Sequence, residues 1–123
     1  MNEEELNALT EKIIGCAFAV SNTLGSGFLE KVYENALALE LRKNGLDAKQ
    51  QLPIQVRYHD QVVGEYFADI LVSQNVILEL KAVKEISDSF AAQCLNYLKA
   101  TGLPICLLLN FGKPKMQIKR FRL

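Results

Sequence analysis

The chain has 123 residues, half of them hydrophobic and 23% charged, with 14 basic and 14 acidic side chains and a formal net charge of zero. That length suits one domain with a single core and leaves no room for two. Zero net charge argues against a protein that coats nucleic acid by neutralising phosphates wholesale, though not against an enzyme, where the distribution of charge outweighs its sum.

Leu6, Leu9, Ile13, Ala17, Val20 and Leu24 recur at spacings of three and four, which predicts an amphipathic helix ending at Gly25-Ser26-Gly27. A second helix is expected from about Phe28 to Lys43, closed by Asn44-Gly45. The period then changes to two. Gln51 to Tyr58 predicts a strand, His59-Asp60-Gln61 a turn, and Val62 to Val72 a second strand. After Ser73-Gln74-Asn75, the run Val76 to Ala82 reads as a third strand buried on both faces. Ser87 or Asp88 caps a third helix through about Ala100. Ile105 to Asn110 is a short apolar strand, and Met116 to Leu123 a last one after Gly112-Lys113-Pro114. The order α-α-β-β-β-α-β-β implies an α/β fold, a mixed sheet with helices packed on it.

Cys16, Cys94 and Cys106 are odd in number, far apart and set among apolar residues, without zinc spacing. They read as reduced core residues of a cytoplasmic protein. The acidic start, Glu3-Glu4-Glu5, lacks the basic and apolar regions of a secretory leader. No apolar run approaches the roughly 20 residues of a membrane span, so no membrane association is expected. Five cations and no acid occupy the last eleven residues. They suit either a phosphate-tracking edge or a solvated edge strand whose lysines discourage aggregation.

Acids are depleted in strands, yet Asp69 stands in Phe-Ala-Asp-Ile-Leu-Val and Glu79 in Val-Ile-Leu-Glu-Leu-Lys. A buried carboxylate costs several kcal/mol unless a cation or strong hydrogen bonds compensate it. Register decides whether the two meet. A two-residue turn at Gln74-Asn75 sets them on opposite faces. A three-residue loop, Ser73 to Asn75, pairs Val72 with Val76 and hence Asp69 with Glu79, with Asn75 taking the left-handed conformation. Asp69, Glu79 and Lys81 then share a face, an oxygen-rich site for Mg²⁺ or Mn²⁺ with an ammonium beside it. A structural Asp69–Lys81 ion pair is the competing reading, and it leaves Glu79 without a partner.

Asp69 with Glu79-Leu80-Lys81 beginning ten positions later resembles the D…ExK signature of the PD-(D/E)xK nucleases, with Ala68 in place of the usual proline. Gly27-Phe28-Leu29-Glu30-Lys31-Val32-Tyr33 resembles the motif that names the bacterial GxxExxY proteins, a branch of that superfamily. The resemblance implies a restriction-endonuclease-like fold and metal-dependent hydrolysis of phosphodiesters, in DNA before RNA. It implies Asp69, Glu79, the Leu80 carbonyl and Glu30 as metal ligands, with Lys81 catalytic. Gln93 and Tyr97 resemble the QxxxY motif of RecB-type nucleases, and spacing of four puts them on one helical face. A homodimer or helper protein is a further expectation.

Local readings stand beside these. Glu30 at the third position of a helix capped by Gly27 suits the helix dipole. Tyr33 suits a core ring with a tethered hydroxyl, and Glu34 either a supporting acid or a solvated one. Gln93 and Tyr97 flank an apolar stripe of Phe90, Cys94 and Leu98, which packing alone explains. His59, the sole histidine, falls in a turn, which disfavours histidine-based hydrolysis. Gly25-Ser26-Gly27 lacks the ending of a phosphate-binding loop. The rival class is a catalytically silent nuclease-fold domain that dimerises or regulates.

Overall fold

A computed structural model describes residues 1–123. Its elements are α1 (Glu3–Leu24), α2 (Glu30–Lys43), β1 (Ala48–Tyr58), β2 (Gln61–Val72), β3 (Val76–Lys81), α3 (Asp88–Thr101), β4 (Ile105–Asn110) and β5 (Gln117–Phe121), in the expected order. No helix is long and apolar enough to cross a membrane.

Helix α1 starts where its backbone donors find acceptors. The Asn2 side chain accepts the Glu5 N–H at 2.8 Å, and Glu5 returns the bond to the Asn2 N–H at 3.1 Å. The expected stripe is the buried one: Leu6, Leu9, Ile13, Ala17 and Val20. Helix α2 begins two residues later than expected. Gly27, at φ 116°, still belongs to the connection, and Leu29 is the cap residue, without a side-chain capping bond. Glu30 is therefore the first helical residue and not the third, so the capping role read from Gly27 does not hold.

The five strands are ordered β1-β2-β3-β4-β5. All neighbours are antiparallel except β3 and β4, which run parallel because α3 crosses over between them. One sheet face packs on α1 and α2 through Ile70, Val72, Leu78, Leu80 and Leu107. The other packs on α3, joining Leu71, Ile77, Cys106 and Leu108 to Cys94, Tyr97 and Leu98. Strands β3 and β4 are thus buried on both faces, and each enclosed leucine or isoleucine contributes about 1.5–3 kcal/mol relative to exposure. The three cysteines are free and buried, as core residues.

The β1–β2 turn is tighter than expected. His59 (φ 50°) and Asp60 (φ 62°) form a two-residue left-handed turn and Gln61 already pairs with Tyr58. The hairpin tip projects past the helices, leaving Tyr58, Val62 and Val63 exposed. Strand β5 is an edge whose tail folds back on α1: Arg122 bonds Glu3, and Arg120 bonds Asn7 at 3.0 Å. Those contacts occupy two of the five cations of the basic tail.

Candidate active site

The Ser73–Asn75 connection has three residues, and Val72 pairs with Val76. Its left-handed residues are Ser73 (φ 48°) and Gln74 (φ 61°), not Asn75. Asn75 instead closes the turn, its N–H on the Val72 carbonyl at 3.0 Å and its side chain on the Ser73 carbonyl at 2.8 Å. The register that this loop dictates carries the β2–β3 ladder through Leu71↔Ile77 to Ile70↔Leu78, where it stops.

One residue further the strands part, and side chains take over from backbone. The Glu79 carboxylate accepts the Asp69 N–H at 3.1 Å, and the Asp69 carboxylate accepts the Leu80 N–H at 2.8 Å. Each acid thus satisfies a donor on the opposite strand and is held at the fork. On the β1 side the ladder also skips, from Gln50↔Ile70 to Leu52↔Ala68. Gln51, opposite Asp69, is left-handed at φ 58°. Such a conformation costs a non-glycine residue about 1–3 kcal/mol and persists only where its surroundings impose it.

Glu34 imposes it. This acid is 4% exposed, so it is not the solvated one. Its carboxylate accepts from Gln50 Nε2 at 2.7 Å, Gln51 Nε2 at 2.9 Å and Lys31 Nζ at 3.1 Å. Glu34 therefore pins the β1 irregularity that frees Asp69. Tyr33 has a matching task in the core. It stacks on Phe111 at 4.7 Å, donates its hydroxyl to the Gly25 carbonyl at 2.6 Å and accepts the Phe28 N–H at 3.2 Å. It fixes the connection from which Glu30 starts α2. Tyr33→Phe keeps the ring and strands both partners, so the unfolding free energy in urea should fall by about 1–3 kcal/mol at unchanged m-value.

Only five polar residues are buried in the chain, and Glu34 and Glu79 are two of them. Glu34 has three side-chain donors; Glu79, 4% exposed, has one backbone N–H. Burial, then the nearby Asp69 charge, pushes the Glu79 carboxyl up to about 8. Burial likewise raises Asp69, with Glu34 and Glu30 adding to it against the Leu80 hydrogen bond. Glu30 itself is exposed at the start of α2, and no three His, Cys, Asp or Glu side chains converge as a ready cage. The pair alone remains a suitable donor set. Mg²⁺ takes one or two carboxylates plus water and substrate oxygens, without an all-protein cage.

Lys81 does not bridge the acids. The three ion pairs are Lys31–Glu34, Lys113–Glu85 and Arg122–Glu3, and the Lys81 ammonium lies 4.5 Å above the Phe90 ring. The structural Asp69–Lys81 pair is thus not formed, and the ammonium faces a groove between the hairpin and α3. Gln93 and Tyr97 line the same groove, so the two share a face as their spacing requires. Tyr97 is also core: it is buried, and burial followed by the Glu79 and Asp69 charges raises its hydroxyl.

Sequence reasoning missed Asn110 and Gly112. Asn110 is fully buried, accepts the Val83 and Gly112 N–H groups at 3.0 Å each and donates to the Val83 carbonyl at 2.9 Å. The Phe111 N–H meets the Lys81 carbonyl at 2.7 Å. These bonds anchor the chain as it leaves Lys81. The available signal was an asparagine closing an otherwise apolar strand.

A five-stranded mixed sheet with helices on both faces, and an Asp and a Glu meeting where two strands part, defines the restriction-endonuclease-like class. A family model described as PD-(D/E)XK nuclease superfamily matches residues 7–121, and the chain belongs to that superfamily. In fold it is similar to the crystal structure of an alkaline exonuclease from Laribacter hongkongensis, with a TM-score of 0.54 at 15% identity. That match covers 75% of this chain and 55% of the exonuclease, so the chain spans about half of that protein's length. No curated protein matches.

Proposed function

We propose that this chain is a divalent-metal-dependent nuclease that hydrolyses phosphodiester bonds in DNA, with RNA as the alternative substrate. One observation carries the reading: Asp69 and Glu79 are drawn together at the strand fork, both carboxyls raised by burial and Glu79 further by the Asp69 charge, with no protein cation bridging them. Buried carboxylates are ordinarily paired or bound to metal. Asp69 and Glu79 would hold Mg²⁺ or Mn²⁺, with the Leu80 carbonyl and Glu30 as further ligands. When bound, the ion supplies Lewis-acid polarisation and a water of lowered pKa. Lys81, two residues past Glu79 and free of ion pairs, donates to the attacking water or to the charge developing on the phosphate. Glu34 and Tyr33 act through Asp69 and Glu30, as positioning residues. Membership of the GxxExxY branch is part of the same proposal.

Cleavage of single- and double-stranded DNA and RNA, with Mg²⁺, with Mn²⁺ and with EDTA, tests it. Activity is expected only with metal, and Lys81→Ala should lower the rate by about a hundredfold or more. Folded Lys81→Ala and Asp69→Asn variants that cut like the wild type would sink the assignment. A second reading is favoured by Phe28, Leu29 and Val32, which are 49%, 81% and 38% exposed beside Glu30. That apolar patch suits a second copy of the chain, and a silent dimerising domain would show no cleavage at any metal concentration.

A further inference from the structure

The groove that Lys81 faces has a volume of about 1230 Å³, and none of its fourteen lining residues is acidic. Three are cations: Lys81, Arg57 from the hairpin and Lys99 from α3. In a chain of zero net charge this is a marked segregation. Arg57 has no acidic partner, its guanidinium meeting only the Gln55 side-chain oxygen at 3.0 Å. On the hairpin wall Tyr66 is 50% exposed, its ring 6.1 Å from that of Tyr97. On the α3 wall Gln93 and Asn96 add amide groups.

We infer that this groove binds a short stretch of single-stranded nucleic acid and leads it to the Asp69–Glu79 fork, an inference that rests on the nuclease reading of that fork. A recessed channel walled by a hairpin and a helix admits one strand. A duplex is a convex rod, and it meets proteins best where an element protrudes into its own grooves. Cations along a concave track with an exposed aromatic ring match the chemistry of one strand: phosphates on the cations, a base on the ring. In a duplex the bases are already stacked on each other, and Tyr66 would have no partner. Lys81 belongs to both the groove and the site, so a strand lying along Arg57 and Lys99 arrives at the fork.

The test is binding without turnover. Fluorescently labelled 12-nucleotide oligo-dT, oligo-U and a duplex of equal length are titrated by anisotropy in EDTA, over a series of salt concentrations. The single strands should bind at least about tenfold tighter than the duplex, and the DNA and RNA arms show which sugar is preferred. Arg57→Ala with Lys99→Ala should weaken single-strand binding and flatten the salt slope by about 1.4, two contacts at about 0.7 each. Tyr66→Ser should weaken it about tenfold at unchanged slope, since stacking releases no counterions. Lys115→Ala with Lys119→Ala, near the opposite edge of the sheet, should leave binding as it was. The inference is overturned if the duplex binds as tightly as the single strands, if the groove variants bind like wild type, or if the edge variant loses as much as they do. Cleavage separates this outcome from the parent reading. A chain that binds single strands through the groove and never cuts keeps the groove and loses the nuclease. One whose Arg57, Lys99 variant binds and cuts single strands as the wild type does keeps the nuclease and loses the groove.

Discussion

Glu79→Gln is expected to abolish metal-dependent cleavage and, in EDTA, to make the protein more stable than wild type at pH 8 to 9. Both effects come from one carboxylate. In the folded chain burial and the Asp69 charge push Glu79 up to about 8, from an ordinary value of 4.5. The fold therefore favours the protonated form, and the unfolded chain the ionised one. Stability is fully present below pH 4.5 and is lost as pH rises to about 8, at about 1.4 kcal/mol per unit for this group. Glutamine is neutral throughout, and its side-chain oxygen still accepts the Asp69 N–H. The variant should thus lack most of the downward slope between pH 5 and 8 and end a few kcal/mol above wild type. Adding Mg²⁺ should reverse the order. A ligand bound only by the folded state stabilises wild type by mass action, and the variant has lost half the carboxylate pair. Thermal melts of both proteins across pH, with EDTA and with Mg²⁺, read this directly. Parallel curves would show that Glu79 is not held in a strained, protonated state.

The local signals in the chain were sufficient for the element order and narrowed the register at the site to two alternatives. Of the two loops the sequence allowed, the three-residue one pairs Val72 with Val76 and brings the acids in β2 and β3 together. What the sequence did not disclose depends on tertiary contacts. That the ladder ends at Ile70↔Leu78, so that the acids bond across a fork, follows from the skip at Gln51. That skip is held by Glu34, sixteen and seventeen residues away from its glutamine partners. Glutamines in a strand carry no local sign that a buried acid will collect them. The left-handed residues of the loop fell on Ser73 and Gln74 because Asn75 was drawn into closing the turn. Arg57 and Lys99 are distant in sequence and meet only in the groove, so a net charge of zero concealed an acid-free channel.

Gly112→Ala should be strongly destabilising for the addition of a single methyl group, because backbone and not side chain occupies the space. A methyl group there would lie 2.3 Å from both the nitrogen and the oxygen of Val83 and 2.7 Å from the Ala82 carbonyl carbon. Main-chain atoms held by Asn110 cannot turn aside as a flexible side chain would. The expected cost is about 3 kcal/mol, the upper part of the range for overpacking. Gly15→Ala gives the contrast. That position lies within α1 with nothing within 4 Å, so the same methyl should stabilise by about 0.5–1 kcal/mol through helix propensity. Urea unfolding midpoints of the two variants should therefore move in opposite directions. The functional consequence is the sharper one. The strained contact involves Ala82 and Val83, the residues that follow Lys81, and a displacement of about 1 Å at a reacting group costs on the order of a hundredfold in rate. Gly112→Ala should lower cleavage by that factor under conditions where it remains folded, with metal affinity at Asp69 and Glu79 unchanged by isothermal titration. Full activity in the folded variant would mean that the Asn110–Gly112 corner supports the sheet without positioning Lys81.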